Sequence, residues 1–159
     1  MNVGIIVYSK TGNTLSVAER LRESLEQEGC SVQVERFSAE TEGPQSNKVV
    51  RLTANPDPSG YDLLIFGAPV QAFSLDPAMK LYLSGLAKQK QRPTLCFVTQ
   101  HFPKPWMGGK QATRQMMQLL SDKGLTAKSL GVANWTSKQR EALIATITET
   151  CRQAVALEQ

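Results

Sequence analysis

The hydroxyl-rich segment Ser9-Lys10-Thr11-Gly12-Asn13-Thr14 is the part of this chain whose residue types and spacing point most directly to chemistry. It follows an apolar run at residues 3–8 and precedes a stretch in which apolar residues recur at helical spacing. At such a strand-to-helix corner the first N–H groups of the helix have no intrahelical acceptor, and the helix dipole presents its positive end. The segment therefore predicts a binding site for a phosphate or another anion, with an ordinary helix-capping turn as the simpler alternative.

Two later segments hold the other candidate binding residues. Residues 67–77 contain small residues that let a ligand approach the backbone closely, and Phe73 adds a flat apolar surface. Residues 99–110 contain the only histidine, Phe102, Trp106 and a Gly-Gly pair. Surface loops seldom carry so much aromatic area without using it, although a loop that packs on its own aromatic side chains is the alternative. Together the three segments predict a pocket for a planar ring with a phosphate tail.

The rest of the chain alternates between strand and helix patterns that would position these segments. Predicted strands lie at residues 3–8, 31–37, 62–67, 93–99 and 125–134. Predicted helices lie between Thr14 and Gly29, at residues 76–86 and 111–123, and from a Thr136-Ser137 cap to about residue 156. Residues 39–60 are rich in turn residues around a short apolar piece at 49–52, and whether they contain a helix stays open.

This order of elements predicts an α/β fold, an open, doubly wound, five-stranded parallel sheet with helices on both faces. In such sheets ligands bind at the carboxyl ends of the strands, where the strand order reverses. The three segments follow the first, third and fourth predicted strands, so we expect them to meet at one edge of the sheet. No repeat or linker divides the chain, and residues 1–159 are predicted to form a single domain.

Composition excludes several classes of protein. With 41% hydrophobic and 20% charged residues the chain has the make-up of a globular protein, and no apolar stretch approaches the ~18 residues of a membrane span. No signal peptide is predicted, because the first strand begins without a basic segment and an apolar core ahead of it. Cys30, Cys96 and Cys151 are widely spaced and odd in number, which argues against a disulfide framework or a metal site and favours the cytoplasm.

The formal net charge of +4 is unevenly distributed. Residues 1–75 hold 6 Lys and Arg against 9 Asp and Glu, a net charge of −3, whereas residues 76–159 hold 12 against 5, a net charge of +7. The cations are scattered and form no basic block with interleaved aromatics, so nucleic-acid binding is not predicted. They indicate either a docking face for an acidic protein partner or a solvated surface.

Two of the segments carry a family resemblance. Residues 9–14 resemble the flavodoxin phosphate-binding signature, (Ser/Thr)-x-Thr-Gly-x-Thr, in full. Gly67-Ala68-Pro69-Val70 resembles the Gly-(Ser/Ala)-Pro opening of the second flavin loop of that family, and the order of elements is similar to that of a short-chain flavodoxin over essentially all 159 residues. The resemblance implies a flavodoxin-like sheet of order 2-1-3-4-5 that binds FMN non-covalently and passes one or two electrons through it.

The resemblance also implies which residues hold the cofactor. Backbone N–H groups of residues 11–14 and three hydroxyls would bind the phosphate, and residues 69–73 and 99–106 would bracket the isoalloxazine ring, with a peptide near residues 70–72 meeting N5. Phe73, Phe102 and Trp106 are the stacking candidates. The full predicted set is Ser9, Lys10, Thr11, Gly12, Asn13, Thr14, Ala68, Pro69, Val70, Gln71, Ala72, Phe73, Thr99, Gln100, His101, Phe102, Trp106, Gly108 and Gly109.

No side chain is predicted to act as a catalytic acid or base, because the chemistry belongs to the cofactor. For His101 a role as proton donor stands beside the alternative of a histidine that only packs or caps. The chain departs from the family in its basic charge, with Lys10, Lys104 and Lys110 on the flavin loops, and in lacking an evident tyrosine for stacking. Because cations stabilise an anionic hydroquinone, we expect a hydroquinone potential less negative than is usual in the family.

The leading functional hypothesis is an FMN-binding electron carrier that works with a redox partner protein. One alternative is an FMN-dependent reductase of a small molecule such as a quinone, and another is a non-enzymatic binding module of the same fold. The chain contains no GxGxxG, GxxxxGK[ST] or GxSxG motif, which argues against a nicotinamide site of the usual type, a nucleotide hydrolase and an esterase. The first strand also ends without the acidic pair of a phospho-acceptor domain.

Overall fold

Five parallel strands form the centre of the structure, a computed structural model that describes residues 1–44, 49–104 and 106–159. Residues 45–48 of the turn-rich segment and Pro105 of the third predicted loop lie outside the described residues. In chain order the elements are β1 (Asn2–Tyr8), α1 (Asn13–Gln27), β2 (Ser31–Phe37), β3 (Ala39–Glu42), β4 (Val49–Leu52), a 3₁₀ turn (Pro58–Gly60), β5 (Leu63–Gln71), β6 (Ser74–Leu75), α2 (Pro77–Gly85), β7 (Thr94–Gln100), α3 (Gly109–Asp122), β8 (Ala127–Asn134) and α4 (Arg140–Ala156).

The parallel strands lie in the order β2-β1-β5-β7-β8, which confirms the predicted order 2-1-3-4-5. The central strands β1 and β7 are almost continuous runs of buried residues, as expected of strands covered on both faces. The edge strand β2 buries only Phe37 fully and exposes alternate residues to solvent. The short strand β6 turns back antiparallel along the end of β5.

Helices cover both faces of the sheet and bury one apolar cluster on each. One cluster contains Val17 and Leu21 of α1 with Ile144 and Ile147 of α4, and the other contains Met79 and Tyr82 of α2 with Met116 and Leu120 of α3. Each of these apolar side chains is at most 2% exposed, and full burial of one contributes about 1.5–3 kcal/mol. Among the helices of the described ranges, none combines the length and the apolar character that a membrane crossing requires.

The described parts of the turn-rich segment, residues 39–44 and 49–60, contain a strand pair. Strands β3 and β4 pair antiparallel, and only the 3₁₀ turn at Pro58–Gly60 has helical geometry in the described part of the segment. The exposed guanidinium of Arg51 in β4 lies 3.1 Å from the Glu40 carboxylate in β3 and also contacts Glu42. Ala39, Val50 and Leu52 of the pair also pack against the core, but three apolar residues in two short strands are too few for a sequence-based assignment.

Two predicted boundaries are wrong. The sequence predicts a loop at residues 67–71, but β5 continues to Gln71 because residues 67–69 pair with β7 and residues 70–71 pair with β6. The last helix begins at Arg140 and not at the predicted Thr136-Ser137 cap. The Thr136 hydroxyl donates to the backbone oxygen of His101 at 2.6 Å, so it fixes the preceding loop and does not cap the helix.

Candidate functional site

The three predicted loops meet around one open cavity of about 310 Å³ at the carboxyl ends of β1, β5 and β7. This is where the strand order reverses, since β2 lies on one side of β1 and β5 on the other. The cavity is lined by Lys10, Thr11, Asn13, Thr14, Pro69, Val70, Gln71, Asp76, Thr99, Gln100 and His101. All of these except Asp76 belong to the predicted set.

The corner between β1 and α1 presents hydrogen-bond donors to the cavity. Gly12 precedes the helix with φ of 97°, a left-handed conformation that favours glycine. The buried Ser9 hydroxyl oxygen accepts the N–H groups of Gly12 and Leu15, each at 3.2 Å. The N–H groups of Thr11 and Asn13 have no acceptor among the described residues, so they remain available to an anion.

Arg36 supports this corner, and the sequence analysis did not identify it. Its Nε–H donates to the backbone oxygen of Ser9 at 3.0 Å, and a second guanidinium N–H donates to the same oxygen. Arg36 therefore fixes the start of the loop and brings a positive charge close to the corner. Arg36 is the last residue but one of β2, the strand beside β1, and pairs in register with Val7, a placement that only the strand pairing reveals.

A buried hydroxyl pair joins the first loop to β7. The Oγ1 atoms of Thr14 and Thr99 are 2.8 Å apart, and both residues are almost fully buried. The sequence predicts Thr14 as a phosphate ligand and Thr99 as the start of the third loop. The structure places both on the cavity wall, with their hydroxyls bonded to each other.

The second wall of the cavity is a strained hairpin. Ala72 and Phe73 form the two-residue turn between β5 and β6 with φ of 50° and 60°. A left-handed conformation costs a non-glycine residue about 1–2 kcal/mol, so the rest of the structure must hold this turn in place. Part of that support comes from α3, where the Gln115 side-chain oxygen accepts the Leu75 N–H at 2.8 Å and the Ser74 hydroxyl at 2.9 Å.

The third wall depends on Gln100 at the end of β7. Its side-chain NH₂ donates to the backbone oxygen of Phe102 at 2.7 Å and also to that of Lys104, which holds the loop over the strand end. Its buried Oε1 has no donor within the described ranges. Gly108 at the start of α3 has φ of 116°, and a Cβ there would lie 2.7 Å from the Cα of Phe73. The glycine thus lets the second and third loops touch.

The aromatic side chains lie at the rim of the cavity and do not line it. The rings of Phe73 and Phe102 stack with their centroids 5.8 Å apart and an angle of 7° between planes. Phe73 is 55% exposed, Phe102 is 44% exposed and Trp106 is 72% exposed. Phe73 and Phe102 therefore form an exposed apolar pair, and none of the three stacking candidates lines the cavity.

Asp76 is the cavity residue that the sequence analysis missed. It precedes α2, and its Oδ1 accepts the Ala78 N–H at 2.8 Å. Burial raises the pKa of the Asp76 carboxyl group, while the Ala78 hydrogen bond and the nearby Lys10 and Lys80 lower it to a smaller extent. An Asp-Pro pair at a helix start indicates a helix cap, and no local pattern shows that the same carboxylate faces a cavity.

The remaining predicted residues do not line the cavity. Ser9 and Ala68 are buried beneath it, Gly12 shapes the corner, and the others lie at the hairpin turn, on the rim or at the start of α3; these others are Ala72, Phe73, Phe102, Trp106, Gly108 and Gly109. Over the part of the chain that the structure describes, no three His, Cys, Asp or Glu side chains come together as metal ligands.

No protein-family model and no curated protein sequence matches the chain, but several solved structures do. A short-chain flavodoxin associated with a bacterial microcompartment is similar with a TM-score of 0.69 and 14% identity, over 100% of this chain and 99% of that one. A flavodoxin from Streptococcus pneumonia TIGR4 has a TM-score of 0.66 and 15% identity, with 100% of both chains covered. A flavone reductase has a TM-score of 0.69 and 10% identity, over 100% of this chain and 64% of that one.

These structural similarities concern the fold of the chain. At such low sequence identity they show that the chain has the flavodoxin fold, which confirms the resemblance stated from residues 9–14 and 67–70 at the level of architecture.

Proposed function

We propose that this chain, which has the flavodoxin fold, binds FMN non-covalently and carries electrons through it. The observation that carries the proposal is the β1–α1 corner, where free N–H groups at a helix N-terminus open onto a cavity at the switch point of the sheet. FMN supplies the redox chemistry when it is bound. The chain's own residues bind the cofactor, orient it and set the charge around it.

The residues of the cavity fit the cofactor in two parts. The N–H groups of Thr11 and Asn13 and the Lys10 ammonium would hold the phosphate, while the buried Ser9 hydroxyl and Arg36 support the loop from behind. Residues 69–71 and 99–101, at the ends of the neighbouring strands β5 and β7, line the part of the cavity that would take the ring. The other predicted binding residues remain part of the proposal as supports of the cavity walls or as contacts at the rim.

The test is a visible absorption spectrum together with a binding titration. We expect the purified protein to carry FMN or to take it up, with the bands of a bound flavin, and to bind riboflavin much more weakly because riboflavin lacks the phosphate. A chain that refuses both ligands at micromolar concentration would contradict the proposal. That result would favour the alternative of a non-enzymatic binding module.

The proposed partner is a redox protein with an acidic docking face. Lys10 and Lys104 are exposed on the first and third loops and Lys110 on the first turn of α3, and the stacked pair Phe73 and Phe102 is exposed on the second and third loops. A positive rim around an apolar centre steers an acidic partner and lets it approach the cavity. Electron transfer to such a partner should slow as the ionic strength rises. We also propose a cytoplasmic location, which the odd number and wide spacing of the cysteines predict.

The exposed aromatic pair favours a second candidate, an FMN-dependent reductase. Two parallel phenylalanine rings beside an open cavity offer an apolar surface on which a planar acceptor such as a quinone could lie. A neighbour in the fold comparison is a flavone reductase, which fits this candidate. Reduction of the bound flavin by NADPH alone, followed by turnover of a quinone, would favour the reductase; a requirement for a separate reductase favours the carrier.

A further inference from the structure

Asp76 is a carboxylate held in the cavity wall without a cation in contact. It is 6% exposed, and none of the ion pairs formed by the described residues includes it. Lys80, one helical turn along α2, directs its ammonium group to the Ser74 hydroxyl at 2.8 Å. A buried charge that lacks a direct partner costs stability, so its place in a ligand cavity calls for a functional reason.

The position of this carboxylate is fixed from two sides. The Asp76 N–H donates to the backbone oxygen of Pro69 at 3.1 Å, which ties the residue to the second wall of the cavity. Its Oδ1 caps α2 through Ala78, whereas its Oδ2 receives no hydrogen bond from a described residue. The carboxylate therefore cannot turn away from a bound ligand without losing the cap of α2.

Charged and titratable groups approach Asp76 from every element around it. They are Lys10 in the first loop, Lys80 on α2, Tyr8 at the end of β1, Arg36 at the end of β2, which faces Tyr8, and His101 after β7. Burial is the first cause that raises the pKa of the Tyr8 hydroxyl, and the Asp76 carboxylate raises it further. None of these cations contacts Asp76, and its own pKa stays above the ordinary value.

We propose that Asp76 makes the binding of a phosphate-bearing ligand depend on pH: the Asp76 carboxylate must take up a proton from solvent when the FMN phosphate binds. This inference rests on the proposed function. A phosphate dianion and a carboxylate in one cavity repel each other, and protonation of the carboxylate removes the repulsion. The affinity for FMN then rises as the pH falls through the titration of Asp76, beyond the change due to the phosphate itself.

The experiment compares the unaltered chain with Asp76→Asn. Asparagine keeps an oxygen that accepts the Ala78 N–H, so the cap of α2 survives while the charge disappears. At pH 8 we expect FMN to bind the variant about tenfold more tightly than the unaltered chain, whereas riboflavin should bind the two proteins alike. Calorimetry in buffers of different ionisation enthalpy should show fewer protons taken up by the variant on FMN binding.

Two further variants serve as controls. Asp57→Asn removes a carboxylate that also caps a turn, through Ser59 at 2.9 Å, but that lies outside the cavity, so FMN binding should not change. His101→Gln, made both in the unaltered chain and in the Asp76→Asn variant, removes the imidazole on the cavity wall as a second source of protons. The effect of Asp76→Asn on FMN affinity should persist when His101 is replaced.

Equal or weaker FMN binding by Asp76→Asn would overturn the inference and leave the proposed function standing. If neither protein binds FMN, the proposed function fails. The affinities of the two proteins for inorganic phosphate then test the inference, and equal or weaker binding by Asp76→Asn would again overturn it. The apo protein gives an independent readout. Since the pKa of Asp76 is raised in the folded state, the unaltered chain should lose stability relative to Asp76→Asn as the pH rises through the titration of Asp76. A difference that is constant from about pH 3 to 8 would overturn the inference.

Discussion

Gly12 is the residue on which the shape of the proposed phosphate site depends most directly. Its φ is 97°, and an added Cβ would meet nothing within 4 Å, so the cost of a side chain there is conformational and not steric. We expect Gly12→Ala to lower the free energy of unfolding by about 1–2 kcal/mol and to weaken FMN binding, because the corner can no longer present its N–H groups together. Urea unfolding and a flavin titration measure the two effects.

Gly29 offers a matched control for that substitution. It has φ of 86°, also with no atom within 4 Å of an added Cβ, but it lies between α1 and β2, away from the cavity. Gly29→Ala should therefore cost a similar amount of stability and leave FMN affinity unchanged. If both variants lost affinity equally, the effect would be one of global stability and not of the corner.

The Thr14–Thr99 hydroxyl pair gives a second prediction for single residues. Thr14→Val leaves the buried Thr99 hydroxyl without its partner, and we expect a loss of about 1–3 kcal/mol in the stability of the apo protein. The double variant Thr14→Val, Thr99→Val should lose less than the sum of the single variants, since no polar group is then left unpaired. Additive losses in a double-mutant cycle would show that the bond contributes nothing.

Much of the site could be predicted at this scale, and the exceptions have a common cause. The residues of the first corner are identified by a contiguous motif whose physics is local. Arg36 and Asp76 reach the site from strand and helix ends that are distant in sequence, and each has a sufficient local explanation, as an exposed strand residue and as a helix cap. Side chains with two roles are identified only when the tertiary contacts are known.

Among the elements, the β5–β6 hairpin stores strain where the site needs a fixed wall. Because Ala72 has φ of 50°, Ala72→Gly should raise the free energy of unfolding by about 1 kcal/mol, measured by urea denaturation. The exposed Ala145 in the interior of α4 is the control, since Ala145→Gly should lower stability by about 1 kcal/mol. The opposite signs separate relief of strain from the general effect of glycine.

The helices and parallel strands were predictable because their apolar periodicity is strong and continuous. The hairpin was not, since Ala72-Phe73 lacks the Asn-Gly or Gly-rich pair by which such turns are recognised. The β3–β4 pair was missed because each strand has only four residues: Val50 and Leu52 of β4 pack against the core, but β3 adds only Ala39 to it. Elements that are stabilised by contacts distant in sequence have no recognisable pattern in their own residues.

For the whole molecule the uneven charge distribution is the feature with the widest effect. The basic half, residues 76–159, supplies the third loop and α3, while Lys10 supplies a cation from the acidic half. Lys10→Gln and Lys104→Gln should each make the hydroquinone couple of bound FMN more negative, because a cation near the anionic reduced flavin is lost. A redox titration at low and high salt measures this, and the shift should shrink at high salt.

Lys90→Gln is the control that removes a positive charge far from the cavity. Lys90 lies in the segment before β7, at the opposite edge of the sheet from the cavity, so its removal should leave the couple unchanged. A strongly negative couple in the unaltered protein would contradict the expected influence of the basic loops. That residues 1–159 form a single domain stays a prediction.

The fastening of the hairpin to α3 determines where this cavity can widen. Gln115 anchors Ser74 and Leu75, and Gly108 packs against Phe73, so the second and third walls are joined twice and form one block. The first loop meets that block through the Thr14–Thr99 hydroxyls. We therefore expect the cavity to open only between the first loop and this block. The dissociation rate of a bound ligand should then depend on the strength of the Thr14–Thr99 hydrogen bond.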